Sequence, residues 1–191
     1  WKCAVAHLPY GGAKGGVTVD AKALSRGERE RLTRRYAAEL SILIGPEKDI
    51  PAPDVNTDAQ IMAWFMDTFS VQQGYSVPGV VTGKPVILGG TRGRTEATGR
   101  GCMLVAREAA KEYRLPLPGA TVVIQGLGNV GGVASQLMTQ TGFSVLAVSN
   151  SGGGVYNPKG LRIPDVLQWQ RGHGDLAGYP EGDSITNQEL L

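Results

Sequence analysis

The feature that most restricts the fold of this chain is the glycine-spaced segment Gly126-Leu127-Gly128-Asn129-Val130-Gly131. An apolar run at 121–125 predicts a short buried strand directly before it, and apolar residues at helical spacing predict a helix directly after it. A second apolar run at 144–148 predicts a strand that closes a βαβ unit of about 30 residues. The predicted fold class is therefore α/β.

The three glycines have separate roles in a turn of this kind. Gly126 permits the tight turn, Gly128 lets the backbone approach a pyrophosphate, and Gly131 lets the helix pack closely on the strand. The helix N-terminus offers free N–H groups and the positive end of the helix dipole to phosphates. A single Gly-x-Gly-x-x-Gly match is weak evidence, but its position between a strand and a helix predicts a dinucleotide site.

The end of the second predicted strand bears on the choice of dinucleotide. An acidic residue at this position usually binds the ribose hydroxyls of the adenosine. This chain has Ser149-Asn150-Ser151 there instead. Without a carboxylate a 2′-phosphate is not repelled, and Asn150 can still hydrogen-bond to a free 2′-hydroxyl. The sequence therefore leaves both NAD and NADP open as the cofactor.

The first part of the chain predicts a separate α/β unit. Ser25 with Glu28, and Thr57 with Gln60, have the spacing of capping boxes and predict the starts of two helices. The apolar face of the second helix is predicted to include Ile61, Trp64, Phe65 and Phe69. Short strands are predicted at 2–8, 17–19 and 48–52.

A change of composition separates this unit from the βαβ unit. The segment 78–94 is rich in glycine, proline and threonine and lacks a helical period, so it is the predicted boundary. A helix is predicted to begin after it, at Thr95 or Thr98. The chain starts at Trp1 and ends within a capping box at 186–189, and we expect it to be an internal fragment of a longer protein.

Composition and charge argue against several other functions. The 19 basic and 17 acidic residues are intermixed and give a net charge of +2, so the chain has no basic footprint for nucleic acid or an anionic membrane. It also lacks the run of about 18 apolar residues that a spanning helix needs. Cys3 and Cys102 have no metal-binding spacing, so we expect no metal site and a reduced, cytoplasmic setting.

Lys14 lies in the glycine-rich loop Gly11-Gly12-Ala13-Lys14-Gly15-Gly16. The loop lacks the spacing and the Ser or Thr of a phosphate-binding P-loop. Two interpretations stay open on these residues alone. Lys14 is either a surface lysine on a flexible loop, or a lysine whose pKa is lowered into the range of proton transfer by desolvation and by a second cation such as Lys2.

Six motifs occur in order along the chain: WKCA at 1–4, PYGGAKGG at 9–16, DIPAPD at 49–54, TGKP at 82–85, EATG at 96–99 and GLGNVG at 126–131. In these motifs, and along essentially its whole length, the chain resembles glutamate dehydrogenase within the superfamily of Glu, Leu, Phe and Val dehydrogenases. Members that act on Leu, Phe or Val usually have GGGK followed by a non-glycine pair. The sequence GGAKGG therefore favours glutamate.

The resemblance implies a role for each residue at a matching position. Lys14 would be the catalytic lysine, and Asp54 the acid and base of proton transfer. A turn or capping role stays open for Asp54, as does an N-cap role for Thr98. The substrate would be bound by Lys2, Ala52 and, near the domain junction, Arg94; the dinucleotide would be bound by Thr82, Thr98, Gly126, Gly128, Asn129, Val130, Gly131 and Asn150.

The resemblance also implies a domain organisation and an activity. We expect a substrate-binding α/β domain at 1–88, truncated at its N-terminus, followed at 89–191 by the first half of a Rossmann-type dinucleotide-binding domain. The expected reaction is oxidative deamination of L-glutamate to 2-oxoglutarate and ammonia, with hydride transfer to NAD or NADP, in a homohexamer. A non-catalytic regulatory subunit of a hetero-oligomer and a branched-chain amino-acid dehydrogenase are the alternatives.

Overall fold

The computed structural model describes residues 1–191 and divides them into two compact units, Trp1–Arg92 and Gly93–Leu191. The boundary expected from the sequence lay between residues 88 and 89. None of the helices combines the length and the apolar character that crossing a membrane requires. Each unit has its own buried core and is described by itself.

The first unit is helical. Its helices are α1 (Lys2–Val5), α2 (Arg26–Leu40) and α3 (Ala59–Gln73), with single 3-10 turns at Pro78–Val80 and Val86–Leu88. Helix α2 starts with the predicted capping box, because Ser25 Oγ accepts from the Glu28 N–H while the Glu28 carboxylate accepts from the Ser25 N–H at 2.8 Å. Helix α3 ends at Gly74, whose φ of +80° suits a residue without a Cβ.

The strands predicted in this unit were wrong. Residues 2–8 form helix α1 and a following loop, residues 17–19 have no regular structure, and 48–52 contributes one isolated bridge between Ile44 and Asp49. An alternating apolar pattern makes a strand only where a neighbouring strand accepts its hydrogen bonds, and this unit contains no sheet. Several of the apolar side chains behind the prediction are exposed, namely Val5, Leu8, Val17 and Val19.

The cap of helix α3 also differs from the prediction. The carboxylate of Asp58, not the hydroxyl of Thr57, caps the helix by accepting from the Ile61 N–H at 2.9 Å. Thr57 turns back instead, and its hydroxyl donates to the backbone oxygen of Asp54 at 2.8 Å. Adjacent Thr and Asp residues compete for one cap, and here the Asp carboxylate takes it. Asp54 is therefore not the capping residue of this helix.

The core of the first unit lies between α2 and α3. The side chains predicted for the apolar face of α3 are buried, which confirms that prediction. The ring of Tyr36 on α2 packs edge-on against Phe65 on α3, with ring centroids 5.9 Å apart. The buried residues of this cluster are Ala37, Ile44, Ile61, Met62, Trp64, Phe65, Phe69, Val77, Val80 and Val81.

The second unit is an α/β sheet structure and contains the predicted βαβ unit. Its elements are α4 (Arg94–Glu112), β1 (Thr121–Gln125), α5 (Asn129–Gln140), β2 (Ser144–Asn150), β3 (Gly153–Tyr156), α6 (Ile163–His173) and β4 (Asp183–Ile185). The strand order is β1-β2-β3-β4, with β1 and β2 parallel and the other pairs antiparallel. Strand β1 has the predicted bounds but is not buried as predicted, because it lies at the edge of the sheet and Val123 is exposed. Strand β2 runs two residues further than predicted, and β3 and β4 were not predicted.

Helix α4 begins earlier than predicted. It starts at Arg94 after Gly93, whose φ is +78°, and not at Thr95 or Thr98. The left-handed glycine ends the preceding loop without a side-chain cap, and an ion pair between Glu96 and Arg100 supports the first turns. The N-cap role left open for Thr98 is therefore wrong.

Candidate functional site

The glycine-spaced turn joins β1 to α5 in the second unit. Gly126 has a φ of +93°, and its N–H donates to the backbone oxygen of Ser149 on β2 at 2.9 Å. A Cβ on Gly131 would lie 1.8 Å from the backbone oxygen of Gly126, so no other residue fits there. At Gly126 and Gly128 no atom lies within 4 Å of a built Cβ, so the backbone is open on that side. The turn is close-packed towards the protein and accessible outwards.

The N-terminus of α5 supplies hydrogen-bond donors at this turn. Helix α5 has no side-chain cap, and the Gly132 N–H donates to the Gly128 oxygen at 2.8 Å. The N–H groups of residues 129–131 precede that bond and have no partner within the helix. Asn129 and Val130 are exposed. Free N–H groups and the positive dipole end fit the pyrophosphate of a dinucleotide.

Helix α4 crosses α5 beside the same turn. Gly99 is buried, and a Cβ there would lie 2.8 Å from the Val130 oxygen and 2.7 Å from the Val133 Cβ. Only glycine allows the two helices to cross this closely. Thr98 directly precedes Gly99 on α4, and its side chain is exposed.

The end of β2 contributes a second set of polar groups beside the glycine-spaced turn. The side-chain oxygen of Asn150 accepts from the Gly152 N–H at 2.8 Å, so its amide nitrogen is left as a donor. The Asn187 side chain donates to the backbone oxygen of Asn150 at 2.9 Å. Sequence reasoning missed Asn187, because it lies 37 residues from Asn150 and no local pattern connects them.

Lys14 and Asp54 meet in the first unit. The ammonium group of Lys14 forms an ion pair with Oδ2 of Asp54, while Oδ1 accepts from the Val55 N–H at 2.8 Å. The side chains are 80% and 54% exposed, respectively. The desolvated surroundings considered for Lys14 are therefore absent in this unit. The pairing nevertheless brings together the two side chains that carry the expected chemistry, across 40 residues of sequence.

The loop that carries Asp54 rests on the segment that contains Thr82. The Thr82 N–H donates to the Pro51 oxygen at 3.0 Å. Gly83 follows with a φ of +70°, and a Cβ there would lie 2.5 Å from Cδ and 2.6 Å from Cγ of Pro53. The absent side chain at residue 83 thus makes room for the Pro53 ring, which directly precedes Asp54.

The remaining predicted residues lie outside these contacts. Lys2 is exposed on α1, whose Cys3 thiol donates to the Gly11 oxygen at 3.7 Å, so α1 lies beside the glycine-rich loop. Ala52 is exposed between two prolines, and Arg94 is the exposed first residue of α4. No hydrogen bond or ion pair joins Lys2 to the Lys14–Asp54 pair. The structure has no cluster of three or more His, Cys, Asp or Glu side chains suited to a metal ion.

The strand, turn and helix around Gly126 define a Rossmann-type dinucleotide-binding unit. Two family models match the chain: "Glu/Leu/Phe/Val dehydrogenase, dimerisation domain" over residues 1–71, and "Glutamate/Leucine/Phenylalanine/Valine dehydrogenase" over residues 89–191. The chain belongs to this family of amino-acid dehydrogenases.

Individual relatives agree with the family. The chain is 53% identical to glutamate dehydrogenase of Thermotoga maritima over 192 residues, which cover 100% of this chain and 46% of that protein. It is 46% identical to a catabolic NAD-specific glutamate dehydrogenase of Bacillus subtilis, again over 100% of this chain and 45% of the relative. The Leu-bound hetero-hexameric glutamate dehydrogenase of Thermus thermophilus superposes with a TM-score of 0.91 at 50% identity, covering 99% of this chain and 44% of that one. The chain thus spans less than half the length of these relatives.

Proposed function

We propose that the protein containing this chain catalyses the oxidative deamination of L-glutamate to 2-oxoglutarate and ammonia, with NAD or NADP as the hydride acceptor. The observation that carries the proposal is the contact between Lys14 and Asp54. A lysine and a carboxylate are the two groups that proton transfer in this reaction needs. Support also comes from the open Gly126–Gly131 turn, which fits a dinucleotide.

The two side chains take different parts in the proposed reaction. When bound, the dinucleotide supplies the hydride acceptor at nicotinamide C4. Lys14 holds the water that adds to the substrate imine and stabilises the oxygen of the resulting carbinolamine. Asp54 Oδ2, in contact with the Lys14 ammonium group, accepts the proton that the adding water releases and delivers it to the substrate nitrogen. It then accepts the hydroxyl proton of the carbinolamine. Ammonia then leaves, and the carbonyl of 2-oxoglutarate forms.

In this proposal, other residues bind the dinucleotide and the substrate. The N–H groups of Asn129 and Val130 hold the pyrophosphate, between the open backbones of Gly126 and Gly128 and the close packing of Gly131. Asn150 faces the adenosine ribose. Thr82 and Thr98 are assigned to the nicotinamide end, and Lys2, Ala52 and Arg94 to the substrate.

A regulatory role is the second candidate. It is favoured by the similarity to a glutamate dehydrogenase that is described as hetero-hexameric. The presence of both Lys14 and Asp54 favours catalysis instead. We propose an oligomer in either case, and mass measurement of the full-length protein, purified alone and from its native cells, distinguishes a homohexamer from a hetero-oligomer. The free thiols Cys3 and Cys102 fit the reducing cytoplasm, which we propose as its compartment.

Assay of the full-length protein tests the proposal. Glutamate and leucine are each supplied with NAD or NADP, and reduced dinucleotide is followed by its absorbance. We expect glutamate to be deaminated and leucine to react poorly. Faster turnover of leucine would favour a branched-chain dehydrogenase. Turnover only when a paralogue is added would favour the regulatory subunit.

A further inference from the structure

The turn between β2 and β3 is built from three distant segments. Asn150 starts the turn and fixes it through its side-chain bond to the Gly152 N–H. Asn187, beyond β4, holds the Asn150 backbone oxygen at 2.9 Å. Asp175, in the connection from α6 to β4, lies against the turn, because a Cβ on Gly152 would be 3.6 Å from its Cβ. In the proposed dinucleotide site, this turn faces the adenosine ribose.

Asn150 cannot by itself discriminate between NAD and NADP. The Gly152 N–H is a donor, so the atom of Asn150 that faces it is the side-chain oxygen. The amide nitrogen remains, and it can donate to a 2′-hydroxyl or, more strongly, to a 2′-phosphate, so it does not disfavour NADP. Any discrimination must therefore come from a charged group near the turn.

Asp175 is a charged side chain held in place at this turn. Its Oδ1 accepts from the Ala177 N–H at 3.1 Å, and the adjacent Leu176 is anchored in the core with 2% exposure. The basic residues nearest in sequence are Arg171 and His173, in the last turn of α6. His173 stacks on Trp169 at 3.8 Å and lies along its own helix. The Asp175 side chain thus starts beside the turn, and its carboxylate is held by the Ala177 N–H.

We propose that Asp175 supplies the carboxylate that the end of β2 lacks and makes the protein favour NAD over NADP. The inference rests on the dinucleotide site of the proposed function. A phosphate monoester carries close to two negative charges at neutral pH. Repulsion between exposed like charges a few ångströms apart changes affinity on the order of tenfold. Asp175 would therefore act by weakening NADP rather than by strengthening NAD.

Binding of two nucleotide fragments to the full-length protein tests this role without turnover. AMP and adenosine 2′,5′-bisphosphate differ only in the 2′-phosphate, and calorimetry gives the Kd of each. Asp175→Asn removes the charge and keeps an acceptor for the Ala177 N–H. We expect the variant to bind the bisphosphate about tenfold more tightly relative to AMP than the unaltered protein does. The ratio of kcat/KM for NADP to that for NAD should rise in parallel.

Two further variants make the result specific. Glu181→Gln removes an exposed carboxylate from the same connection at a site where the Glu181 backbone oxygen binds Asn157, and it should leave the Kd ratio unchanged. Asp175→Ser, which also keeps an acceptor, replaces Asp175→Asn if that variant does not fold. The gain of Asp175→Asn in affinity for the bisphosphate relative to AMP should shrink in high salt, because screening weakens repulsion between exposed charges.

Failure of the role of Asp175 and failure of the proposed dinucleotide site give different results. If the unaltered protein binds AMP, and Asp175→Asn leaves the Kd ratio within twofold, the role of Asp175 is overturned while the dinucleotide site stands. An equal gain in Glu181→Gln also overturns it, because the effect would then come from net charge. If the folded full-length protein binds neither fragment, the dinucleotide site itself is wrong and the inference falls with it.

Discussion

Replacing Gly83 with alanine should displace the carboxylate of Asp54, which we propose as the proton-transfer group, without touching it. A Cβ on Gly83 would lie 2.5 Å from the Cδ of Pro53, whereas ordinary contact begins at 3.4 Å, so the ring must move by about 0.9 Å. Pro53 directly precedes Asp54, and the movement carries the carboxylate with it. Misplacement of a reacting group by about 1 Å costs on the order of a hundredfold in rate. If the proposed activity holds, kcat of the full-length Gly83→Ala protein should fall about a hundredfold.

The backbone strain of this substitution needs its own control. Gly83 has a φ of +70°, and an alanine in that region costs about 1–2 kcal/mol in the free energy of unfolding. Gly74→Ala is the matched control, since its φ is +80° and no atom lies within 4 Å of its built Cβ. Both variants should lose this backbone contribution in urea unfolding, and Gly83→Ala should lose more, because the Pro53 ring must also move. Only Gly83→Ala should lose turnover, and its Kd for the dinucleotide should stay unchanged.

A second substitution separates displacement from other causes. Pro53→Ala removes the Cγ and Cδ atoms that the new methyl group meets, so it should restore much of kcat to Gly83→Ala. Equal turnover of Gly83→Ala and Gly74→Ala would refute the positioning argument. So would a double variant no faster than Gly83→Ala, provided that Pro53→Ala alone is active.

Four further outcomes are expected in the full-length protein. Lys14→Ala should lower kcat at least about a hundredfold with unchanged dinucleotide affinity, and unaltered turnover would remove Lys14 from catalysis. Asp54→Asn should lower kcat similarly while circular dichroism stays unchanged, because Asp58 caps α3; a loss of helix signal would return Asp54 to a structural role. Asn150→Asp should raise the preference for NAD in kcat/KM, because a carboxylate there repels a 2′-phosphate; an unaltered ratio would show that Asn150 does not face the ribose. Hydrogen bonds from the side chain and backbone of Ser25 lower the pKa of Glu28 below its ordinary 4.5. The stability that these bonds supply is therefore present above pH 4.5 and is lost as the pH falls through the lowered pKa. The Tm advantage of the unaltered protein over Glu28→Gln should therefore vanish in acid, and an advantage that persists there would contradict this reasoning.

The sequence predicts the βαβ part of the second unit well because local rules decide it. The strand at 121–125, the turn and the helix after it each follow from a period or a glycine spacing, and the tight packing at Gly131 makes that spacing obligatory. The first unit was less predictable. Its alternating apolar residues indicate strands, but a strand depends on a partner that local sequence does not reveal.

The candidate site shows the same limit. The resemblance named Lys14 and Asp54, and the structure adds the contact between them. Asp175 and Asn187 lie 25 and 37 positions after Asn150 in the chain. Their approach to the β2 end depends on how the connection through α6 and β4 folds back, and no spacing rule contains that information.

The close crossing at Gly99 also limits how this family can change over time. Every codon change away from glycine introduces a Cβ, which here meets Val133 and two main-chain atoms, the Ala134 nitrogen and the Val130 oxygen. A second mutation can shorten the Val133 side chain. No mutation can delete the main-chain atoms, so no compensating substitution removes their contacts with the new Cβ. Position 99 should therefore stay fixed among lineages, and a mutational scan should find it intolerant although it lies outside the glycine-spaced turn.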